Sequence, residues 1–194
     1  AREGVRRALN PVLRAGVHLM EVVRDTLPGV VIAGDSAQPI YAGCADFAAS
    51  GPRSWFCSAT GYGTLGYALP AAAGALIGSG RPAVCLAGDG GIQFTLPELG
   101  AAREAGLPLI VLLWNNRGYG EIKTYMVSRG IEPIGVDIYT PDFLTIARGF
   151  GCEAEKLEDP RDLPAKLKAA ALRDRPTVIE IDEAAYVAGV AAES

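Results

Sequence analysis

Apolar residues along this chain fall into two patterns. Short continuous runs occur at Val30-Val31-Ile32-Ala33, Ala83 to Ala87 and Leu109 to Trp114, and a run broken by Glu180 at Thr177 to Ile181. Runs of this kind, bounded by glycine, proline or asparagine, read as strands buried on both faces, as in a parallel sheet. Between them apolar residues recur at three- and four-residue steps. Val12, Leu13, Val17, Met20, Val23 and Leu27 mark one face of a helix over Arg2 to Leu27, ended by Pro28-Gly29. An alanine-rich helix is predicted from Leu65 to Ile77, and Thr95-Leu96-Pro97-Glu98 reads as a capping box opening another helix to Ala105. Thr140-Pro141 and Asp159-Pro160 each set an N-cap residue before a proline at the first helical position. Residues 37 to 63 read as loop, with Gly43, Gly51-Pro52 and Gly61-Tyr62-Gly63.

Strands alternating with helices define a three-layer α/β/α fold with a mainly parallel sheet. The reading is one domain over 1–194, with 1–10 as a linker remnant and 183–194 as a small-residue C-terminal tail. With 194 residues, 49% hydrophobic, the chain is long enough for one sizeable core. A net charge of −4, with the basic residues scattered, argues against a nucleic-acid surface. The longest apolar run, Leu107 to Trp114, is far too short to span a membrane. Cys44, Cys57, Cys85 and Cys152 show neither a CxxC pair nor metal-ligand spacing, which suits structural thiols in a reducing, cytoplasmic setting.

The chemistry concentrates at two strand ends. Gly88-Asp89-Gly90-Gly91 follows one run, and Asn115-Asn116 follows the next, with Asn116 27 positions beyond Asp89. Strands of a right-handed βαβ unit finish on the same edge of the sheet. If these two are neighbours, a carboxylate and a carboxamide oxygen converge where open α/β sheets bind ligands. Hard oxygen donors of this kind suit Mg²⁺ or Ca²⁺ rather than zinc. Gly90 and Gly91 let the backbone approach a diphosphate, the following helix N-terminus offers free N–H groups, and Gly118 allows a carbonyl to turn back as a third ligand. A Gly-Asp-Gly turn and an Asn-Asn strand end are each commonplace alone; their joint order is what carries weight. A dinucleotide fold is excluded because Gly88-Asp89-Gly90-Gly91-Ile92-Gln93 lacks the final glycine of G-x-G-x-x-G, and no P-loop fits.

Gly88-Asp89-Gly90 followed by Asn115-Asn116 resembles the signature of thiamine-diphosphate-dependent enzymes. Gly61-Tyr62-Gly63-Thr64-Leu65-Gly66-Tyr67-Ala68-Leu69-Pro70-Ala71-Ala72 is similar to the segment before that signature in pyruvate decarboxylase, benzoylformate decarboxylase and acetolactate synthase. Gly34-Asp35-Ser36 resembles their first diphosphate-contacting turn, and the resemblance runs from about Leu9 to Asp182. It implies that Asp89 and Asn116 bind Mg²⁺ through side chains and Gly118 through its carbonyl, while Asp35, Ser36, Gly90 and Gly91 hold the diphosphate of thiamine diphosphate. Gly63 would accept a hydrogen bond from the cofactor's amino group through its carbonyl. Leu65 would wedge under the bent cofactor, and Thr64, Gly88, Tyr119 and Gly120 complete the cofactor-contacting set.

The resemblance also implies a missing half. The glutamate that activates the cofactor comes from a pyrimidine-binding domain of the same or a partner subunit, and nothing here looks like that domain. The expectation is a homo-oligomeric enzyme acting on a small 2-oxo acid, with this chain inactive alone and an apolar rim at the carboxyl edge of its sheet. Its start at Ala1, without methionine, reads as a piece of a polypeptide about three times as long, with one subunit of a split enzyme as the alternative. Pyruvate decarboxylases carry a catalytic glutamate where Ile122 stands; Glu121 is one place earlier, about 100° around a helix. Asn115 to Met126 and Ile131 to Phe143 look more like proteins assigned as 5-guanidino-2-oxopentanoate decarboxylases. Glu121 could pair with such a substrate's guanidinium, or be a solvated helix residue. Acetolactate synthase, and an inert binding module retaining the fold, are the competing readings. His18 reads as a surface or packing residue, Trp55 and Trp114 as anchors, and Arg117 and Lys123 as helix-end charges flanking the site.

Overall fold

The structure is a computed structural model that describes residues 2–192. In chain order its elements are α1 (Arg2–Ala8), α2 (Pro11–Thr26), β1 (Val31–Gly34), α3 (Gln38–Asp46), β2 (Trp55–Cys57), α4 (Ala68–Ser79), β3 (Ala83–Gly88) and α5 (Asp89–Ile92). Then follow α6 (Glu98–Glu104), β4 (Ile110–Asn115), α7 (Gly120–Ser128), α8 (Phe143–Gly149), β5 (Glu153–Leu157), a 3₁₀ turn (Pro160–Asp162), α9 (Leu163–Ala170), β6 (Thr177–Asp182) and α10 (Glu183–Ala192). All strand pairings are parallel, in the order β2-β1-β3-β4-β6-β5.

The four apolar runs form the four central strands, because only residues apolar on both faces survive between two helical layers. Alternate residues divide between the layers. Ile32, Val84, Leu86, Ile110, Leu112, Trp114, Ile179 and Ile181 face one way, against Leu19, Met20 and Val23 of α2, Ile40 of α3, Leu163 and Leu167 of α9 and Tyr186 of α10. Val31, Ala33, Cys85, Ala87, Val111, Leu113 and Val178 face α4, α6 and α8 on the other side.

Several local expectations are corrected. The first helix is two helices, because Asn10 before Pro11 leaves the helical region and its Oδ1 accepts the N–H of Leu13 at 2.9 Å. Thr95 is no N-cap: its hydroxyl donates to the Gly66 carbonyl at 3.1 Å, and α6 starts at Glu98 without a side-chain cap. The cap of α8 is Asp142, not Thr140, with its carboxylate accepting from the N–H and hydroxyl of Thr145. Asp159 does cap, but the turn it opens is the 3₁₀ segment that leads into α9.

Residues 37 to 63 are not all loop. They hold α3 and β2, and α3 lies so close to α2 that a Cβ on Gly16 would stand 2.7 Å from Pro39 Cα and one on Gly43 2.5 Å from Met20 Sδ. Most of the stretch expected as a C-terminal tail carries secondary structure. Glu183–Ala192 is helical, and Tyr186 is buried edge-on to Trp114, with its hydroxyl 3.1 Å from His18 Nδ1. His18 is thus a half-buried packing residue against Tyr186.

Candidate cofactor site

β3 and β4 are neighbours, with Gly88 opposite Trp114, so Asp89 and Asn116 leave the sheet side by side at its carboxyl edge. The Asn116 N–H points at Asp89 Oδ1 at 3.5 Å. Asp89 is 1% exposed, and its Oδ2 has no hydrogen-bond partner among the described residues. Burial pushes its carboxyl above the usual range, against the pull of the backbone N–H groups of Asn116, Asp89, Gly118 and Gly90. A buried carboxylate oxygen left without a partner is costly unless something binds it.

The Asn-Asn segment is shaped by its own side chains. Asn115 Oδ1 accepts the Arg117 N–H at 3.0 Å across a turn in which Arg117 takes a φ of 63°. The Tyr119 N–H then bonds the Val136 carbonyl at 2.9 Å. A Cβ at Gly118 would sit 2.5 Å from that carbonyl oxygen, so only glycine fits there. At Gly90 a Cβ would lie 2.6 Å from Tyr119 Cε1: the missing side chain admits the Tyr119 ring. Gly88 ends β3, and Asp89–Ile92 is one helical turn, α5, rather than an open turn.

A pocket of about 300 Å³ opens between these segments. Of the expected residues, Ser36, Gly63, Leu65, Gly88, Asp89, Gly90, Gly91, Asn116, Gly118, Tyr119, Gly120 and Glu121 line it. Gly63 holds a φ of 65°, and Leu65 reaches toward Gly91, where a Cβ would lie 3.6 Å from Leu65 Cδ2.

Two expected residues stand outside. Thr64 is exposed and does not line the pocket. Asp35 is 1% exposed, and its two oxygens accept the N–H groups of Gly66 and Ala68, each at 2.9 Å. Its carboxylate therefore ties the Gly63-Leu65 loop to the sheet and satisfies the first turn of α4. Burial raises the Asp35 carboxyl from its ordinary value, with the amides of Ala68, Gly66 and Tyr67 opposing.

Reading the sequence missed Ala37, Gln38, Tyr41 and Ala59, which also line the pocket. They come from α3 and the turn after β2, elements without a clear period. Gln38 Nε2 donates to Glu121 Oε2 at 2.7 Å, so Glu121 is tethered at the pocket mouth while remaining exposed. Ile122 lines the pocket beside it. Lys123 pairs with Asp137 at 2.7 Å, and an Arg117 guanidinium nitrogen lies 4.0 Å from Asp182. Exposed apolar side chains border the site: Ile122 lines the pocket, Phe94 and Tyr139 line a second cleft with Gly90 and Tyr119, and α7 buries none of its residues. Among the described residues no helix is long and apolar enough to cross a membrane.

The family model for the thiamine pyrophosphate enzyme C-terminal TPP binding domain matches residues 41–181. The chain is 39% identical over 186 residues to the probable 2-ketoarginine decarboxylase AruI of Pseudomonas aeruginosa, covering 94% of this chain and 33% of that protein. It is 35% identical to the acetolactate synthase large subunit of Parasynechococcus marenigrum, covering 88% and 28%. Among solved structures, the thiamine diphosphate-dependent 4-hydroxybenzoylformate decarboxylase of Rhodococcus jostii superposes with a TM-score of 0.76 at 28% identity, over 90% of this chain and 32% of that one. Fold, site and matches together define a cofactor-binding domain of the α/β/α class. The chain belongs to the family of C-terminal thiamine-diphosphate-binding domains, and it spans about a third of the length of the relatives it matches.

Proposed function

We propose that this chain anchors thiamine diphosphate through Mg²⁺, as the C-terminal part of a 2-oxo-acid decarboxylase. The observation that carries the reading is Asp89: a buried carboxylate with one unpartnered oxygen, at a pocket it shares with Asn116 of the adjacent strand. That donor set fits Mg²⁺, which takes a few protein oxygens and fills its shell from phosphates and water. Asp89 and Asn116 would hold the ion through side chains and Gly118 through its carbonyl. Ser36, Gly90 and Gly91 would border the diphosphate, and Leu65 would support the ring system. When bound, thiamine diphosphate supplies a nucleophilic carbon for attack on a 2-oxo acid, and the protein supplies position and field.

The substrate reading is 5-guanidino-2-oxopentanoate. The 39% identity to a protein named a probable 2-ketoarginine decarboxylase supports it, as does Glu121, an exposed carboxylate held by Gln38 at the pocket mouth. A carboxylate recognises a guanidinium through two parallel charge-assisted hydrogen bonds. The matched acetolactate synthase keeps carboligation as the second reading. In either case a pyrimidine-binding domain, from the same or a partner subunit of a cytoplasmic homo-oligomer, completes the site over the apolar rim, and the isolated chain does no catalysis.

Calorimetric titration with thiamine diphosphate, with and without Mg²⁺, tests this. The expected result is Mg²⁺-dependent binding that Asp89→Ala abolishes. Binding that ignores both Mg²⁺ and the substitution, or silence even with inorganic diphosphate and high Mg²⁺, overturns the reading.

A further inference from the structure

We infer that Glu183 is a positioning residue for the metal loop, fixing the Asn116 carboxamide so that Oδ1 rather than Nδ2 is presented to the cation; this rests on the Mg²⁺ reading above. Glu183 opens α10 directly after β6, and β6 pairs with β4 so that Asp182 stands opposite Asn115. The parallel register thus carries the start of α10 alongside the Asn115-Asn116 segment. There Glu183 Oε2 accepts from Trp114 Nε1 at 2.6 Å and from Asn116 Nδ2 at 3.2 Å.

Glu180, three residues earlier, engages the other asparagine. Asn115 Nδ2 donates to Glu180 Oε1 at 2.6 Å, while Asn115 Oδ1 accepts from the Arg117 N–H. The two glutamates have different consequences. The Glu180 contact fixes the turn at Arg117, whereas the Glu183 contact acts on the side chain expected to bind the ion.

The reason it matters is chemical. A carboxamide has an acceptor end and a donor end of nearly equal size, and a half-turn about its last torsion exchanges them. A cation is attracted by the first and repelled by the second. An ionised carboxylate accepts and never donates, so Glu183 can hold only the Nδ2 end of Asn116. Its own position is set from the core: the Trp114 indole that donates to it is 1% exposed and packed edge-on against Tyr186, with ring centres 5.6 Å apart. Rigid core, carboxylate, carboxamide and ion would form one chain of contacts. Partners that orient a metal ligand in this way typically influence metal affinity about 10–100-fold.

The test is calorimetric titration of Mg²⁺ into the full chain at saturating thiamine diphosphate, for the parent, Glu183→Gln, Glu183→Ala and Ile179→Val. Glu183→Ala should raise the half-saturating Mg²⁺ about 10–100-fold. Glu183→Gln, which keeps an acceptor oxygen but loses the charge, should fall between it and the parent, and it carries the test if the alanine variant does not fold. Ile179→Val loosens β6 in the core, away from the site, and should leave Mg²⁺ affinity unchanged. Glutamate variants that bind Mg²⁺ like the parent overturn the inference, as does an Ile179→Val effect of equal size, which would mean general loosening. A parent chain that binds no Mg²⁺ overturns the metal reading itself and this inference with it, so the two failures are told apart by the parent alone.

Discussion

Asp89 is a residue whose folded environment is poor until something binds it. One of its oxygens is unpartnered, its side chain is buried, and burial raises its carboxyl above the ordinary value. Sites of this kind trade stability for function. Asp89→Asn removes the buried charge at nearly constant shape, so in chelator the variant should melt above the parent by about 2–4 °C, the shift that 1 kcal/mol gives in a domain of this size. With Mg²⁺ and thiamine diphosphate added, the order should reverse, because only the parent gains from binding. Differential scanning calorimetry under both conditions checks this, and a variant less stable than the parent in chelator would contradict the strain assigned to Asp89. Asp35 is equally buried but has the opposite character, since backbone N–H groups satisfy both of its oxygens. Both aspartates follow strands, and their hydrogen-bonding environments could not be distinguished from the local residues alone. Which amides surround a carboxylate depends on how a later loop returns, and the 63–68 loop comes back to Asp35.

At the scale of elements, legibility followed burial. β1, β3, β4 and β6 were read within a residue or so because each is apolar on both faces. β5 was missed because an edge strand keeps one side in water, and Glu153-Ala154-Glu155-Lys156-Leu157 has no buried face longer than its last residue. β2 is only three residues long. α3 was missed for another reason: its contact with α2 is made by glycine and proline, which periodicity does not count as apolar. That contact is a point of prediction. Gly16→Ala would force a Cβ to within 2.7 Å of Pro39 Cα, and overpacking of this sort costs about 1–3 kcal/mol. Because α3 carries Gln38 and Tyr41 into the pocket, cofactor affinity should fall along with stability. Asn10→Ala, by contrast, removes a cap for about 1 kcal/mol and should leave affinity unchanged. Denaturant midpoints read beside binding constants would separate the two; equal affinities in both variants would show that α3 does not set the pocket. The segments proposed to hold the metal stood out in the sequence because Gly88-Asp89-Gly90-Gly91 and Asn115-Asn116 follow the apolar runs of adjacent central strands. The Glu183 support was hidden in what looked like a tail of small residues.

At the scale of the whole molecule, exposed apolar side chains border the site, Ile122 in the pocket and Phe94 and Tyr139 in the cleft beside it, at 61% and 85% exposure for the last two. Contiguous exposed apolar surface marks a contact site, and here it borders the residues proposed to hold the cofactor. The proposed complementary domain would bury that rim. In its absence the chain should self-associate through it, and Phe94→Glu with Tyr139→Glu should shift sedimentation toward monomer while changing stability by no more than about 0.5 kcal/mol per site. Unchanged association would place the contact elsewhere. The central claim is that Asp89 and Asn116, brought together by adjacent strands, hold a divalent ion. Its most direct test is anomalous diffraction from crystals of the chain grown with Mn²⁺ and thiamine diphosphate. The account predicts one strong peak at about 2.1–2.3 Å from Asp89 Oδ2, Asn116 Oδ1 and the Gly118 carbonyl, close to the oxygen distances of Mg²⁺. A peak elsewhere in the pocket, with Asp89 Oδ2 still unliganded, would contradict it.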